Sequence, residues 1–391
     1  MRKTFVQTVV GKKYLILLFV LLSTVASFLI FYNPQHQPQY QKGPQRARTS
    51  YITSIDTMKE SKDTDSSTSQ LTDEQILNGI DLCARLNPNY ITVDTHYNED
   101  TYLARWVRAI RATGKHVWFR PSFAGWGTGV NGIITPTMYL SQLRTFILTH
   151  PGLFQPGDIF DENAEPENGQ YWGATYGANW SSQAPNQATD DFNSFLVGLT
   201  DTADQAFQQL DTRGVITTVH STDPWTAEHP EILYQSTVQH MGNLVTVDAY
   251  PDANTTDPAT AANAWVQQLM RIHVARPTAR ILIGEMGYSN AIDVDDTTQE
   301  NVLKEELNAL SSVPYLAGIN YWVGAGTAAS GGYTHIFTGK TGHWSFRPAA
   351  YVLASFYSEI QMIDHSPTPT LPTASPPQPG SSEADTRPHA C

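Results

Sequence analysis

Gly157-Asp158-Ile159-Phe160-Asp161-Glu162-Asn163-Ala164-Glu165-Pro166-Glu167-Asn168-Gly169 runs from a short apolar segment straight into a crowd of acids. Five carboxylates fall within the eleven positions 158–168, and their mutual repulsion costs stability unless some keep a proton or find partners. A buried strand has use for Ile159 and Phe160 but none for the acids, so the stretch reads as a strand ending at a site, with an acidic solvated loop as the plainer alternative. Ala279-Arg280-Ile281-Leu282-Ile283-Gly284-Glu285-Met286-Gly287 repeats the design, with Glu285 at the end of an apolar run.

Working outward, β-rich runs recur at 51–55, 90–93, 116–119, 158–160, 215–219, 244–247, 281–283 and 316–321. Helical periodicity fills the intervals. Thr72 with Gln75 three residues on makes a capping box, Leu103, Trp106, Val107 and Ile110 share one helix face, and Thr135-Pro136 supplies a cap and a first-turn proline. Eight strand-helix alternations predict the α/β class and a closed (β/α)8 TIM barrel in one domain, at 49–363. An open doubly wound sheet is the alternative; it is disfavoured because no GxGxxG turn follows the first strand.

The two ends differ from this body. Residues 14–32 are apolar apart from Ser and Thr, and as a helix they would span roughly 28 Å, close to a bilayer's hydrocarbon thickness. They are expected to form a transmembrane signal-anchor behind a cytoplasmic N-terminus at 1–13, leaving the large domain outside the cytoplasm. A cleaved signal peptide, with Thr24-Val25-Ala26 at the cleavage site, is the rival reading and would make the protein secreted. A Pro/Gln-rich linker at 33–48 and a Pro/Ser-rich disordered tail at 364–391 complete the chain.

The net charge of −13 hides an asymmetry: residues 1–48 hold seven Lys/Arg and no acids, which leaves 17 basic against 37 acidic residues, or −20, in the rest. Such a body repels nucleic acid. Cys83 and Cys391 form no disulfide framework, and no Cys/His cluster has metal-ligand spacing, so no metal and no cofactor is expected.

In a barrel all strand C-termini open on one face. That rule gathers Asp56, Asp94, His96, Arg120, the acids from Asp161 to Glu167, His220, Asp248, Tyr250, Glu285, Tyr321 and Trp322 at one mouth. Two carboxylates facing across a cleft suit glycosidic-bond cleavage, in which one donates a proton to the leaving oxygen and the other stabilises or attacks the anomeric carbon. Trp118, Trp126, Trp172, Trp180, Trp225 and Trp322 lie near strand ends or the loops that follow, where rings can stack on sugar C–H faces. Only Trp322 is assigned a sugar contact on these grounds.

With Asn163-Ala164-Glu165-Pro166 after the fourth strand, Gly284-Glu285-Met286-Gly287 at the seventh and Tyr321-Trp322 at the eighth, the chain resembles clan A of the glycoside hydrolases. This is a retaining group that includes many cellulases and mannanases, and the resemblance covers 49–363. It implies that Glu165 is the acid/base and Glu285 the nucleophile, that Tyr250 contacts the nucleophile, and that Trp322 lines the subsite where cleavage occurs. Asn163, Glu167, His220, Tyr321, Arg120 and His96 complete the expected carbohydrate-binding set. The clan places Asn directly before the acid/base, whereas Ala164 stands there in this chain with Asn163 one residue earlier. Either the register is locally altered, or Glu162 or Glu167 is the proton donor. Two other functions fit the same residues: a catalytically silent carbohydrate-binding barrel, and an α-glycan hydrolase using Asp161 or Asp248.

Overall fold

Eight parallel strands pair in chain order, and the last returns to the first to close the barrel. They are β1 (Ile52–Asp56), β2 (Tyr90–Val93), β3 (His116–Phe119), β4 (Ile159–Ala164), β5 (Ile216–Ser221), β6 (Leu244–Asp248), β7 (Arg280–Met286) and β8 (Leu316–Tyr321). All eight expected strands are present, so the closed barrel holds and the open sheet is set aside. The computed structural model describes residues 51–66, 68–121, 134–168, 170–182, 184–221, 229–248, 250, 255–288, 295–326, 334–340 and 342–364, without the side chains of 219–221, 363 and 364. The expected segments at 1–13, 14–32 and 33–48, the tail from 365, Trp126 and Trp225 lie outside the described residues. Among the described residues no helix is long and apolar enough to cross a membrane.

Helices cover the outside: α1 (Met58–Ser61), α2 (Asp73–Arg85), α3 (Asp100–Ala112), α4 (Pro136–Thr149), α5 (Gln170–Tyr176), α6 (Gln187–Gln209), α7 (Gln235–His240), α8 (Pro258–Ala275), α9 (Asp296–Ser311) and α10 (Pro348–Asp364). Their starts follow local chemistry. Thr72 and Gln75 form the reciprocal capping box of α2, and Thr135 caps α4 ahead of Pro136. Each cap satisfies backbone N–H groups that the first helical turn leaves without partners. An antiparallel hairpin, β9 (Phe337–Lys340) and β10 (His343–Phe346), follows the barrel.

The barrel interior changes character along its axis. At its base Ile52, Tyr90, Trp118, Ile159, Leu282 and Ala317 form a closed apolar cluster. Trp118, one of the aromatics near strand ends, therefore fills the base of the barrel. A hydroxyl and amide layer comes next: Ser54 and Thr92 lie 2.7 Å apart, Thr92 donates to Asn320 at 3.0 Å, and Thr218 pairs with Thr246 at 2.5 Å. Above it lies the ionic layer of the mouth. The larger apolar core fills the space between strands and helices, where Phe119, Phe146, Phe154, Phe160 and Phe207 pack in mutual contact.

Closure depends on one small residue. Gly318 of β8 pairs with Ile52 of β1, and a Cβ at that position would meet the Ile52 carbonyl oxygen and its Cβ. Both obstacles belong to a paired strand and cannot swing aside. Gly318→Ala is expected to destabilise the fold by about 2–3 kcal/mol, read as a lower midpoint in denaturant unfolding; an unchanged midpoint would mean that the β1–β8 seam is loose.

Candidate active site

The mouth is organised around Arg120, the residue after β3, which is 3% exposed. Its Nη1 donates to Asp56 Oδ2 at 2.7 Å and its Nη2 to Glu285 Oε1 at 2.6 Å, while Asp94, Asp161 and Asp248 each approach to 3.8 Å. Burial alone would lower the guanidinium pKa, but Asp94, Glu285, Asp56 and Asp248 more than offset this and hold it well above its ordinary value. Asp56 is held further by Asn320 Nδ2 at 3.0 Å and the Met58 backbone N–H at 2.7 Å.

Glu285 is the member of this group that reaches solvent: its side chain is 13% exposed, against 0–3% for the four aspartates. Tyr250 donates to its Oε2 at 3.1 Å. Burial, then the charges of Glu285 and Asp248, push the Tyr250 phenol well above its ordinary range, so it keeps the proton it donates. The Trp322 ring lies 6.1 Å from the Tyr250 ring, edge to face at 74°, and its Nε1 donates to Met58 Sδ at 3.3 Å. Arg120, Tyr250, Glu285 and Trp322 are thus brought together as expected.

On the opposite arc, β4 extends to Ala164 rather than ending at Phe160, so Asp161, Glu162 and Asn163 belong to the strand and not to a following loop. Asp161 pairs with Thr218 and Ala164 with His220, so β4 carries one residue more than β5 over the same rise. This bulge lies between Asp161 and Ala164, directly before Glu165, where an altered register was one of the two alternatives. Period-2 alternation sends Asp161 inward to Arg120 and Glu162 outward to α6, where Thr200 donates to it at 3.5 Å. Burial, then Asp161 and Asp204, hold the Glu162 carboxyl well above the carboxylate range. Glu162 therefore faces the helix layer and is withdrawn as a proton donor to the mouth.

Glu165 follows the strand end with φ +53°, in the left-handed region that favours glycine, and is 9% exposed. Glu167 is buried in the 3₁₀ turn Pro166–Asn168 that comes next. Asn163 is half-buried, with its backbone N–H on Asp161 Oδ1 at 3.2 Å.

Three other expected residues lie elsewhere or outside the description. Tyr321 is fully buried in the outer core with its hydroxyl on the Thr334 carbonyl at 2.6 Å. The alternation that points Asn320 into the barrel points Tyr321 out, which corrects its assignment to the mouth. His96 pairs with Asp65 through Nδ1 at 2.7 Å and its backbone N–H at 2.9 Å. The His220 backbone pairs with Ala164 and Thr246, and its side chain is outside the described residues. Trp172 and Trp180 pack with Phe192 rather than at the mouth. Sequence reasoning missed Met58 and Asn320; the alternation along β8 carried the signal for Asn320, and nothing marked Met58.

No family model matches the sequence, and no curated protein resembles it in sequence. In three dimensions the chain is similar to GH5_18 from Streptomyces cattleya, solved in complex with GlcNAc, with TM-score 0.59 and 13% identity over 82% of each chain. It is similar also to a glutamate-to-alanine variant of GH5_18 from Bifidobacterium longum subsp. longum, solved in complex with Manb1-4GlcNAc (TM-score 0.58, 9% identity, 80% of this chain and 78% of that one). A third is the beta-glucuronidase of Ruminococcus gnavus (TM-score 0.54, 11% identity, 79% of this chain and 50% of that one). At these identities the likeness is one of fold, and the fold is the barrel that the resemblance to clan A implied.

Two substitutions test the geometry. Arg120→Met leaves five carboxylates without their shared cation and is expected to cost about 3–5 kcal/mol of stability; a loss under about 1 kcal/mol, read by denaturant unfolding, would mean that the cluster does not depend on it. Glu165→Asn puts a residue that tolerates the left-handed region at a strained position, so stability should rise by about 1 kcal/mol while any turnover falls.

Proposed function

We propose that this chain hydrolyses O-glycosidic bonds with retention of anomeric configuration, Glu285 acting as nucleophile and Glu165 as acid/base. The observation that carries the reading is Glu285 itself: it is the solvent-reaching member of the Arg120 group, and both its oxygens accept hydrogen bonds from fixed donors. A Glu285 oxygen attacks the anomeric carbon as the glycosidic bond breaks, and Glu165 gives its proton to the departing oxygen. Glu165, now ionised, takes a proton from water, and that water attacks the same carbon and frees Glu285. Trp322, edge-on to Tyr250, offers an apolar wall to the sugar ring. Glu165, directly after β4, supports the second role by its place in the chain, since the clan's acid/base stands after its fourth strand; the bulge in β4 is consistent with Asn163 standing one residue further from it than in the clan.

A β-linked manno- or gluco-configured glycan is the substrate class we favour, because two solved proteins of this fold hold GlcNAc and Manb1-4GlcNAc. The α-glycan alternative is less favoured, since Asp161 and Asp248 lie against Arg120 in the buried layer. A silent binding barrel would need neither the strained Glu165 nor two donors on Glu285. The apolar run at 14–32 would tether the catalytic domain to a membrane, with the barrel on the extracytoplasmic side.

Turnover should appear on a panel of soluble β-mannans, β-glucans and Manb1-4GlcNAc, with the first product retaining the substrate's anomeric configuration by proton NMR. Glu285→Ala should abolish hydrolysis and leave the unfolding transition in place, and added azide should restore some turnover with inverted product. A first product of opposite configuration from the parent enzyme would make Glu285 a base that activates water, and a parent protein that binds these glycans without cleaving them would favour the silent barrel.

A further inference from the structure

Beside the mouth lies a buried carboxylate that the reaction does not use. Glu60 on α1 is 3% exposed, and its Oε1 accepts a hydrogen bond at 2.5 Å from Trp344 Nε1 of β10. The same helix reaches the mouth through its two preceding residues. Met58 takes the Trp322 Nε1 hydrogen bond on its sulfur at 3.3 Å and gives its own N–H to Asp56, and the Lys59 ammonium stands 5.7 Å from the Trp322 ring centroid. Three consecutive residues thus join the hairpin to the indole. At four residues α1 is far too short to hold its place by helix propagation. Its start is pinned by Thr57, whose N–H and hydroxyl both donate to the Thr92 carbonyl, and its end by Glu60.

We propose that Glu60 is a positioning residue for Trp322: its bond to Trp344 fixes α1 against the hairpin, and α1 fixes the indole. The proposal rests on Trp322 being a wall of the sugar site, as read above, while the packing it invokes does not.

The charge on Glu60 makes the link measurable. Burial raises its carboxyl to about 7, with the Trp344 hydrogen bond acting in the opposite sense. Because the folded value lies above the ordinary carboxyl value of 4.5, Glu60 contributes stability that is fully present below that value and lost as the pH rises through about 7. Other groups stand around it. Cys83 on α2 is pushed well above its ordinary range by burial, then by Glu60 and Asp56, and stays a neutral thiol. Lys59 pairs with Asp63 at 3.5 Å. Gly79 of α2 leaves the space that the carboxyl group fills, since a Cβ there would lie 3.0 Å from Oε2. His343 precedes Trp344 on β10 and is exposed.

The test is fluorine NMR of protein carrying 5-fluorotryptophan, with Trp322→Phe and Trp344→Phe used to assign the two resonances. Both should shift together between about pH 6 and pH 8, with a midpoint near that of Glu60. Glu60→Gln keeps an acceptor for Trp344 and cannot ionise, so it should abolish both shifts, while His343→Gln should leave them. At one fixed pH, Trp344→Phe should move the Trp322 resonance. A Trp322 resonance that stays flat with pH, that titrates unchanged in Glu60→Gln, or that ignores Trp344→Phe would overturn the proposal. No substrate enters the measurement, so its failure is distinct from failure of the glycosidase reading.

Discussion

Among the described residues one guanidinium stands within 3.8 Å of five carboxylates at the barrel mouth, and the orientation of Glu285 follows from that contact. Arg120 meets Asp56 and Glu285 directly and has Asp94, Asp161 and Asp248 at 3.8 Å. The five acids come from β1, β2, β4, β6 and β7 or the residue that follows the strand, so the cation links the neighbours β1–β2 and β6–β7 with each other and with β4 across the barrel. A buried pair of charges is weak evidence for stability, because desolvation opposes attraction. Its value is as a constraint: any rotamer of Arg120 that moves the guanidinium gives up its short bonds to Asp56 and Glu285. Glu285 therefore arrives at solvent already oriented.

The two strands that carry the proposed catalytic acids are both irregular where they reach the mouth. β4 carries an extra residue against β5 between Asp161 and Ala164, and β7 carries one against β6 around Gly284 and one against β8 before Met286. A bulge bends its strand and re-aims the next side chain. The Gly284 carbonyl is taken by Asn320 Nδ2 at 2.8 Å, so the bend in β7 is fixed from inside the barrel. On β4 the irregularity ends in a glutamate with left-handed backbone, which an unbulged strand would not require.

The strands, their order and the helix starts at Thr72 and Thr135 were legible because each rests on a local pattern: period two, period 3.6, or a cap three residues from its partner. The limits of that legibility are equally physical. An inserted residue in β4 has no compositional mark, so Asp161 and Glu162 read as loop when they are strand, and their opposite orientations were hidden. Tyr321 and Trp322 are adjacent, and being at the strand end did not show that one turns into the outer core while the other walls the mouth. Trp118 stands near its strand's end but on the inward face, where the apolar base of the barrel needs volume. The Asn163-Ala164-Glu165 spacing posed a choice between an altered register and a different acid; β4 does carry a bulge between Asp161 and Ala164, which fits the first reading, and Glu162 turns to the helix layer.

Burial of an acid is therefore a poor guide to its role in this molecule, and partners are a better one. Glu162, Glu60 and Glu285 are all carboxyls withdrawn largely or wholly from water. Glu162 faces α6 with a hydroxyl at 3.5 Å, and burial with two neighbouring acids keeps it protonated, which suits packing and nothing more. Glu60 has one indole donor and sits near neutrality, so its charge changes in a range where the fold must tolerate both forms. Glu285 alone of the three has a guanidinium on one oxygen, a phenol on the other, and an open side. A nucleophile needs all three features together: a charge held in place, an orientation that does not relax, and a path for the substrate. Among the described residues no ion pair reaches the other two glutamates, so it is the bond to Arg120 that sets Glu285 apart from them and supports its proposed role.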